Sequence, residues 1–405
     1  MTIVELYDPV YVENIIGAMV CAPERVILIG DDVKKIDRGI ARYKKILNSH
    51  GIDIELISKQ GSKSSLQSVT EAMRGIIEEY GECIFDITGG NEFYLVAVGM
   101  LMRDYAGMVQ CHKYDFKKGT FSDCDADGYV VNHGEFMLSI EDNITLYGGE
   151  IVWESDKGFK TYKWNLNEEF EQDINAMWGV CESDTKLWNS QISSLGELYN
   201  IYGDALGIEF NISDAESKMK ARKKKFVFVR GFISRLNTLG VIRNLSINGD
   251  NVSFEFKNEQ CLKCLTVAGQ VLELYTAYRM KRIKDDDNDD KLLFDDIMVG
   301  VVIDWSDSET DNSIINEIDI IAMRDGVPTF FSCKNGEFGN DELYKLNSVA
   351  DKFGADYAKK VLVTPNIELV DDKDELVSRM EKMGIRLLNL KKYDGREFEQ
   401  FVRRI

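Results

Sequence analysis

Along the first 110 residues, short apolar runs alternate with longer stretches whose apolar positions recur every three or four residues. The short runs are IVELYD, RVILIGD, IDIELIS and CIFDIT, and they read as strands. Between and after them lie VYVENIIGAMVC, KIDRGIARYKKILNSHG, SLQSVTEAMRGIIEEYG and NEFYLVAVGMLMRDYAG, with helical spacing. Strands alternating with helices of this length predict βαβ units and a parallel sheet. Right-handed crossovers then make the sheet doubly wound. Ligands of such folds lie beyond the carboxyl ends of the strands. Asp8, Gly30, Asp31, Thr88, Gly89, Gly90 and Asn91 stand just after strands and are therefore the candidate ligand-binding residues.

The pattern changes twice further on. From Val109 to Trp153 it is hairpin-like, and DCDADG (123–128) is read as a turn. An EF-hand loop would need glutamate at its twelfth position, which is Gly134 here. Residues 165–260 read as a helical unit. Within it, FVFVRGFISRLNTLGVI predicts an amphipathic helix ended by Gly240, and RNLSINGDNVSFEF predicts two strands around an Asn-Gly-Asp turn. A helix followed by a two-stranded wing predicts a winged-helix-like module. The last third predicts a helix over CLTVAGQVLELYTAYRMKRI, then an acidic loop DDDNDD (285–290). The strands DIMVGVVIDW, NEIDIIAMRDG and VPTFFSCKNG follow, the last two joined at Asp325-Gly326. A helix over DELYKLNSVADKFG, ended by Gly354, and the strand AKKVLVTPN complete an αβββαβ order.

Composition narrows the class. The chain has 405 residues, enough for two or three domains with real cores, and its 44% hydrophobic content is that of a globular protein. No apolar run reaches the roughly 18 residues that span a bilayer. MTIVELYDP lacks the basic and apolar regions of a signal peptide. Eight scattered cysteines are not a disulfide framework, and the expectation is a cytoplasmic protein. Cys261 and Cys264 form a CxxC pair with no second pair to complete a zinc site, and are read as thiols on an apolar element. The net charge of −20 argues against a protein that coats duplex DNA. It leaves room for an enzyme that cuts nucleic acid, since metal-binding carboxylates count as negative and a local basic patch can dock the substrate. KMKARKKK (218–225), with six basic residues in eight, is such a patch or a solvated helix face.

The last third places Asp319 on one predicted strand and Lys334 at the end of the next. A tight turn between those strands brings both to one sheet edge. Metal-assisted phosphodiester hydrolysis needs carboxylates for a divalent cation and a lysine to orient water or stabilise the charged phosphorane. This order, with Asp319 and SCK (332–334), resembles the PD-(D/E)XK nuclease superfamily over roughly residues 262–400. Glu273, on the preceding helix, stands where many members keep an extra carboxylate. Ser332 occupies the place of the usual second acid and is counted among the candidate site residues. Glu342, in the first turn of the following helix, can face back to Lys334 and take over that acid's role. Glu337 and Glu317 are further candidates.

FDITGGNEF, following the fourth strand, resembles the signature of the CARF domain, the CRISPR-associated Rossmann fold. That family holds cyclic oligoadenylates at a dimer two-fold through a strand-end Thr-Gly-Gly element. Glu92 stands where members often have lysine, and Lys59 or Lys63 can compensate. The whole chain resembles the cyclic-tetra-adenylate-activated nucleases of type III CRISPR systems. The resemblance implies an α/β protein with a Rossmann-like CARF domain (1–155), a helical, winged-helix-like linker unit (156–260) and a PD-(D/E)XK restriction-endonuclease-like domain (261–405). It further implies a homodimer in antiviral defence, allosterically activated by cyclic tetra-adenylate. Such a protein cuts DNA, RNA or both with little sequence specificity. Glu273, Asp319 and Glu342 would hold Mn²⁺ or Mg²⁺, and Lys334 would assist the water or the phosphate. Two other readings remain: a ligand-sensing DNA-binding regulator with an inactive nuclease domain, and an enzyme that degrades the cyclic ligand in its own pocket.

Overall fold

The computed structural model describes all residues except 63, 117, 125–129, 132–135, 156–157, 286–289, 306–313 and 370. Most of the DCDADG turn, most of the DDDNDD loop and Lys63 thus lie outside the described residues. Among the described residues, no helix is long and apolar enough to cross a membrane.

The first sheet is built from β1 (Thr2–Leu6), β2 (Arg25–Gly30), β3 (Glu55–Gln60), β4 (Cys83–Asp86), β5 (Val109–Asp115), β6 (Thr120–Asp123) and β7 (Val130–Val131). Its order is β3-β2-β1-β4-β5-β6-β7, parallel through β5 and antiparallel beyond it. Helices α1 (Ile16–Cys21), α2 (Val33–Ser49), α3 (Leu66–Tyr80) and α4 (Glu92–Asp104) make the crossovers. β1 is buried at every position, as a central parallel strand covered on both faces must be. The chain order reverses direction between β1 and β4, which opens a crevice at their carboxyl ends.

Two expectations of this region change. The VYVENIIGAMVC segment is a short 3₁₀ turn (Tyr11–Asn14) followed by α1, not one helix. The stretch expected to be hairpins contains α5 (Ile140–Leu146), started by a capping box in which Ser139 and Asp142 satisfy each other's backbone N–H. The strand β8 (Glu150–Ile151) then pairs with the third sheet, Ile151 opposite Ile303.

The middle region comprises α6 (Glu168–Ser183), α7 (Thr185–Tyr202), β9 (Gly203–Asp204), β10 (Gly207–Asn211), α8 (Ile212–Ala221), α9 (Arg230–Thr238), β11 (Ile242–Asn248), β12 (Asn251–Phe256) and α10 (Glu259–Thr266). β11 and β12 pair antiparallel as expected, and β10 and β9 extend them to four strands. The helix expected from residue 226 begins only at Arg230. Residues 226–229 run extended because the N–H groups of Val227 and Val229 donate to the side chains of Ser194 and Gln191 on α7. Cys261 and Cys264 are both buried on α10.

The last region is α11 (Gln270–Lys281), β13 (Asp296–Asp304), β14 (Ile315–Arg324), β15 (Val327–Cys333), α12 (Asn340–Gly354), β16 (Lys359–Thr364), α13 (Lys373–Lys382), β17 (Ile385–Asn389) and α14 (Gly395–Arg403). The αβββαβ order is present and is extended by α13, β17 and α14. The sheet order is β17-β16-β15-β14-β13-β8. The single helix expected over CLTVAGQVLELYTAYRMKRI is divided at Gly269, whose φ of +92° no helix interior adopts. Asp325 and Gly326 join β14 to β15 with φ of +49° and +75°, the left-handed pair that a tight hairpin demands.

Two apolar cores sandwich this last sheet. One face packs Ile320, Phe331 and Cys333 against α11 and the middle region. The other packs Ile321 and Phe330 against Leu343, Leu346 and Phe353 of α12, and runs on through Ile140 and Ile144 of α5 into Ile3, Val26 and Ile46 of the first sheet. The first and third sheets therefore share one continuous core.

Candidate active site

The antiparallel register of β14 and β15 sets Ile320 opposite Phe331 and Ile321 opposite Phe330. One step further, Asp319 falls beside Ser332. The Asp319 carboxylate accepts a 2.6 Å bond from the Cys333 backbone N–H and lies 3.4 Å from the Ser332 hydroxyl, which donates to it. Lys334 Nζ is 3.7 Å from Asp319 and 2.9 Å from Glu342. Glu342 is in the first turn of α12, where the helix dipole favours an acid. The structure thus brings Asp319, Ser332, Lys334 and Glu342 together. Glu342 faces Lys334, as its place in the sequence suggests.

A cavity of about 20 Å³, room for a single water or ion, is lined by these four residues with Glu317 and Lys345. Glu337 does not line it; it borders a separate cleft with Asp371 and Glu375. Glu273 on α11 has its carboxyl held well above the ordinary range, first by burial and then by the negative charges of Asp319 and Glu317. Burial pulls the Lys334 ammonium down, but Asp319 and Glu342 outweigh it and leave the group more basic than usual. Gly300 on β13, at φ +64°, stands across from Asp319, and a Cβ there would come within 3.9 Å of the Glu317 carboxylate.

The donors here are all carboxylate oxygens, the type that suits Mg²⁺ or Mn²⁺, and the mutual repulsion felt by Glu273 is what a cation would relieve. Among the described residues, no three such groups are already gathered into a metal-binding cluster. Lys334 occupies the space between Asp319 and Glu342.

Sequence reasoning missed how the loop after Lys334 is held. Asn335 is 8% exposed. Its amide donates to the Asn189 side chain at 2.8 Å and to the Cys181 sulfur at 3.3 Å, and its backbone carbonyl accepts from Asn189 at 2.5 Å. Both partners belong to the middle region, on α7 and α6. Asn-Gly is legible as a turn, but nothing local signals a partner 146 residues away.

At the crevice of the first sheet, Asp8 follows β1 and its carboxylate accepts from the Gly90 N–H at 3.1 Å. Gly89 has no room for a side chain: a Cβ would stand 2.7 Å from a Glu13 carboxylate oxygen and 3.0 Å from Asp8 Cβ. Gly90 has φ +97°, and its Cβ would collide with Leu6 at 2.7 Å. The Thr88 hydroxyl donates to Asp86 and accepts from the Tyr114 N–H at 2.8 Å. Asn91 caps α4, accepting from Phe93 and Tyr94. Gly30 closes β2, with Tyr7 Cβ 3.0 Å from where its own Cβ would be. The Asp31 carbonyl accepts from Gln60. Lys59 is paired with Glu79 on α3 at 2.6 Å.

Glu13 was not anticipated. Besides touching Gly89, its carboxylate accepts a 2.6 Å hydrogen bond from Tyr357, which follows α12 in the last region. Burial, partly opposed by that hydrogen bond, raises its pKa to about 7.

A parallel sheet with a strand-end Thr-Gly-Gly turn is thus joined to a second sheet, in which Asp319 within β14 and Lys334 just past β15 come together. Residues 262–393 match the family described as Card1-like, endonuclease domain. The chain is similar to protein VC1899 from Vibrio cholerae, at 17% identity and a TM-score of 0.74, covering 100% of this chain and 97% of that one. It is also similar to Can2 from Sulfobacillus thermosulfidooxidans, solved in complex with cyclic tetra-adenylate, at 14% identity and a TM-score of 0.65, covering 99% and 98% of the two chains. At these identities the likeness is one of fold. No curated protein matches the sequence.

Proposed function

We propose that this protein is a cyclic-oligoadenylate-activated, metal-dependent nuclease that cuts DNA, RNA or both with little sequence preference. The observation that carries the reading is Lys334 set between Asp319 and Glu342 at the end of β15, within the endonuclease-type region. Because the Lys334 ammonium is more basic than usual, it stays charged at neutral pH. It therefore acts as an electrostatic partner for a scissile phosphate or its attacking water and not as a base. Asp319 is oriented by the Cys333 N–H, so its second oxygen is left for other work. Glu273, Asp319 and Glu342 would hold Mn²⁺ or Mg²⁺, which when bound polarises the phosphate and lowers the pKa of water.

The activating ligand is assigned to Asp8, Gly30, Asp31 and the turn Thr88–Asn91. The exposed start of α4 lies at this turn, with its Phe93 and Tyr94 N–H groups capped by Asn91. Cyclic tetra-adenylate is favoured because its symmetry suits a two-fold site, and Can2, which shares the fold, is solved with it. The dimer this requires is supported by α4, which leaves Phe93, Leu95, Val96 and Met100 exposed next to that turn. Residues 1–155 would sense the ligand, 156–260 link, and 261–405 cut, with α5 and β8 as the joint between sensor and nuclease.

Full-length protein incubated with cyclic tetra-adenylate, Mn²⁺ and labelled single-stranded and duplex DNA and RNA tests the reading. Cleavage abolished in Lys334→Ala supports it; no cleavage of any substrate, or equal cleavage by that variant, overturns it. Serine at position 332 favours a second reading, a ligand-sensing DNA-binding regulator. Ligand-dependent duplex binding without cleavage would support that one.

A further inference from the structure

The basic stretch Lys218–Lys225 has a defined place in the fold. It forms the end of α8 and the loop beyond it. Lys218 pairs with Asp214 at 2.9 Å and lies over the Tyr202 ring, and Lys224 pairs with Glu197 at 2.8 Å. Lys220, Arg222, Lys223 and Lys225 are exposed and make no ion pair among the described residues.

Cations at a helix C-terminus complement its dipole, which accounts for Lys218 and Lys220 but not for the run beyond them. The helix ends in a Schellman turn: Lys224 N–H bonds to the Met219 carbonyl and Lys223 N–H to that of Lys220. The residue at the left-handed position of such a turn is usually glycine. Here it is Lys223, at φ +56°. A charged side chain stands where a strain-free residue would serve the turn better.

α7 connects this stretch to the candidate active site and sets their separation along its axis. Near its start, Asn189 holds the loop next to Lys334. Near its end, Glu197 and Tyr202 hold Lys224 and Lys218. At 1.5 Å per residue these points are about 12 to 20 Å apart along the helix. That is the length of about four to six nucleotides of one strand of a duplex. A chain with net charge −20 repels a polyanion over much of its surface, so a cationic island at that distance is where one would dock.

We propose that Lys220, Arg222, Lys223 and Lys225 form a backbone-binding track that holds nucleic acid about four to six nucleotides from the bond at Lys334. The track rests on the nuclease reading for its purpose, though not for its binding. It recognises phosphates, so DNA and RNA both fit.

The test replaces all four by glutamate, and in a second variant by glutamine, in the full-length protein. Binding of a labelled 30-nucleotide DNA or RNA is followed by fluorescence anisotropy across a salt series. Cleavage of the same strand is compared with that of a four-nucleotide strand, which has at most three nucleotides on either side of the bond cut and is too short to span both sites. The expected result is affinity for the long strand weakened at least about ten-fold. On single strands the salt slope should also fall by about 0.7 for each phosphate that the variant no longer neutralises. KM for the long strand rises, while kcat and cleavage of the short strand stay within about two-fold of wild type. Unchanged affinity and slope in both variants overturn the track, as does displacement of the wild-type complex by polyglutamate no weaker than by nucleic acid. If wild-type protein cuts nothing, the nuclease reading falls while the anisotropy series still decides the track.

Discussion

Lys334 and its neighbours show what single residues can and cannot announce. A lysine closing an apolar strand, an aspartate set in a run of isoleucines and a glutamate in the next helix's first turn are all local signals. The structure gathers them within 4 Å of Lys334 Nζ. Ser332 is satisfied by Asp319, and its replacement by alanine is expected to change cleavage less than about three-fold, since a 3.4 Å separation makes a weak hydrogen bond. Glu13 carries no local signal, because both its partners, Gly89 and Tyr357, are distant in sequence. Its pKa is raised from 4.5 to about 7. The folded state therefore favours its protonated form. That stability is fully present below pH 4.5 and is lost as pH rises through about 7. Glu13→Gln removes the titration, so thermal melting from pH 4.5 to 8 should show wild type falling relative to the variant. Parallel curves would contradict it.

At the scale of elements, the strands of the first and last sheets were legible because strands covered on both faces are continuous apolar runs, whether parallel, as in the first sheet, or antiparallel, as β13 to β15 are. The helix boundaries were less so. The periodicity of FVFVRGFISRLNTLGVI continues through residues 226–229, but Ser194 and Gln191 take their N–H groups into a tertiary interaction instead. α5 is short and follows a turn-rich stretch, so its pattern is too brief to stand out. The TGG turn was legible as a turn, and its close packing explains both glycines. Gly90→Ala should cost about 1–3 kcal/mol and abolish binding of a cyclic oligoadenylate, measured by denaturant unfolding and calorimetry. The clamp between α7 and the loop after β15 predicts a different result. Asn189→Ala leaves the Asn335 amide and carbonyl short of partners in a buried place. The expected loss is about 1–3 kcal/mol of stability and about ten-fold in cleavage, with KM unchanged. Amide exchange at 334–336 should quicken.

Across the whole molecule, the crevice of the first sheet and the candidate active site are joined twice. One link is the continuous core through α5, from Ile3 and Val26 to Leu343 and Phe353. The other starts where Glu13 packs against Gly89 and continues through its hydrogen bond to Tyr357, three residues past the end of the helix that carries Glu342. Neither link is visible in local patterns, because each depends on how separate units meet. Tyr357→Phe keeps the ring, which packs on Phe116 at 4.4 Å between centroids, and removes only the hydroxyl. It should leave ligand affinity within about two-fold while lowering ligand-stimulated cleavage several-fold; unchanged stimulation would show that the polar link carries no signal. Val96→Glu on the exposed face of α4 should shift the protein toward monomer in sedimentation and weaken ligand binding in step.

The central claim is that ligand held at the first sheet switches on hydrolysis at the third. Single-turnover cleavage of a labelled strand by the full-length protein with Mn²⁺, with and without cyclic tetra-adenylate, tests it most directly. The account predicts cutting that rises at least about a hundred-fold with the ligand and vanishes in Lys334→Ala. Equal rates with and without it, or no cutting in either case, would contradict the account.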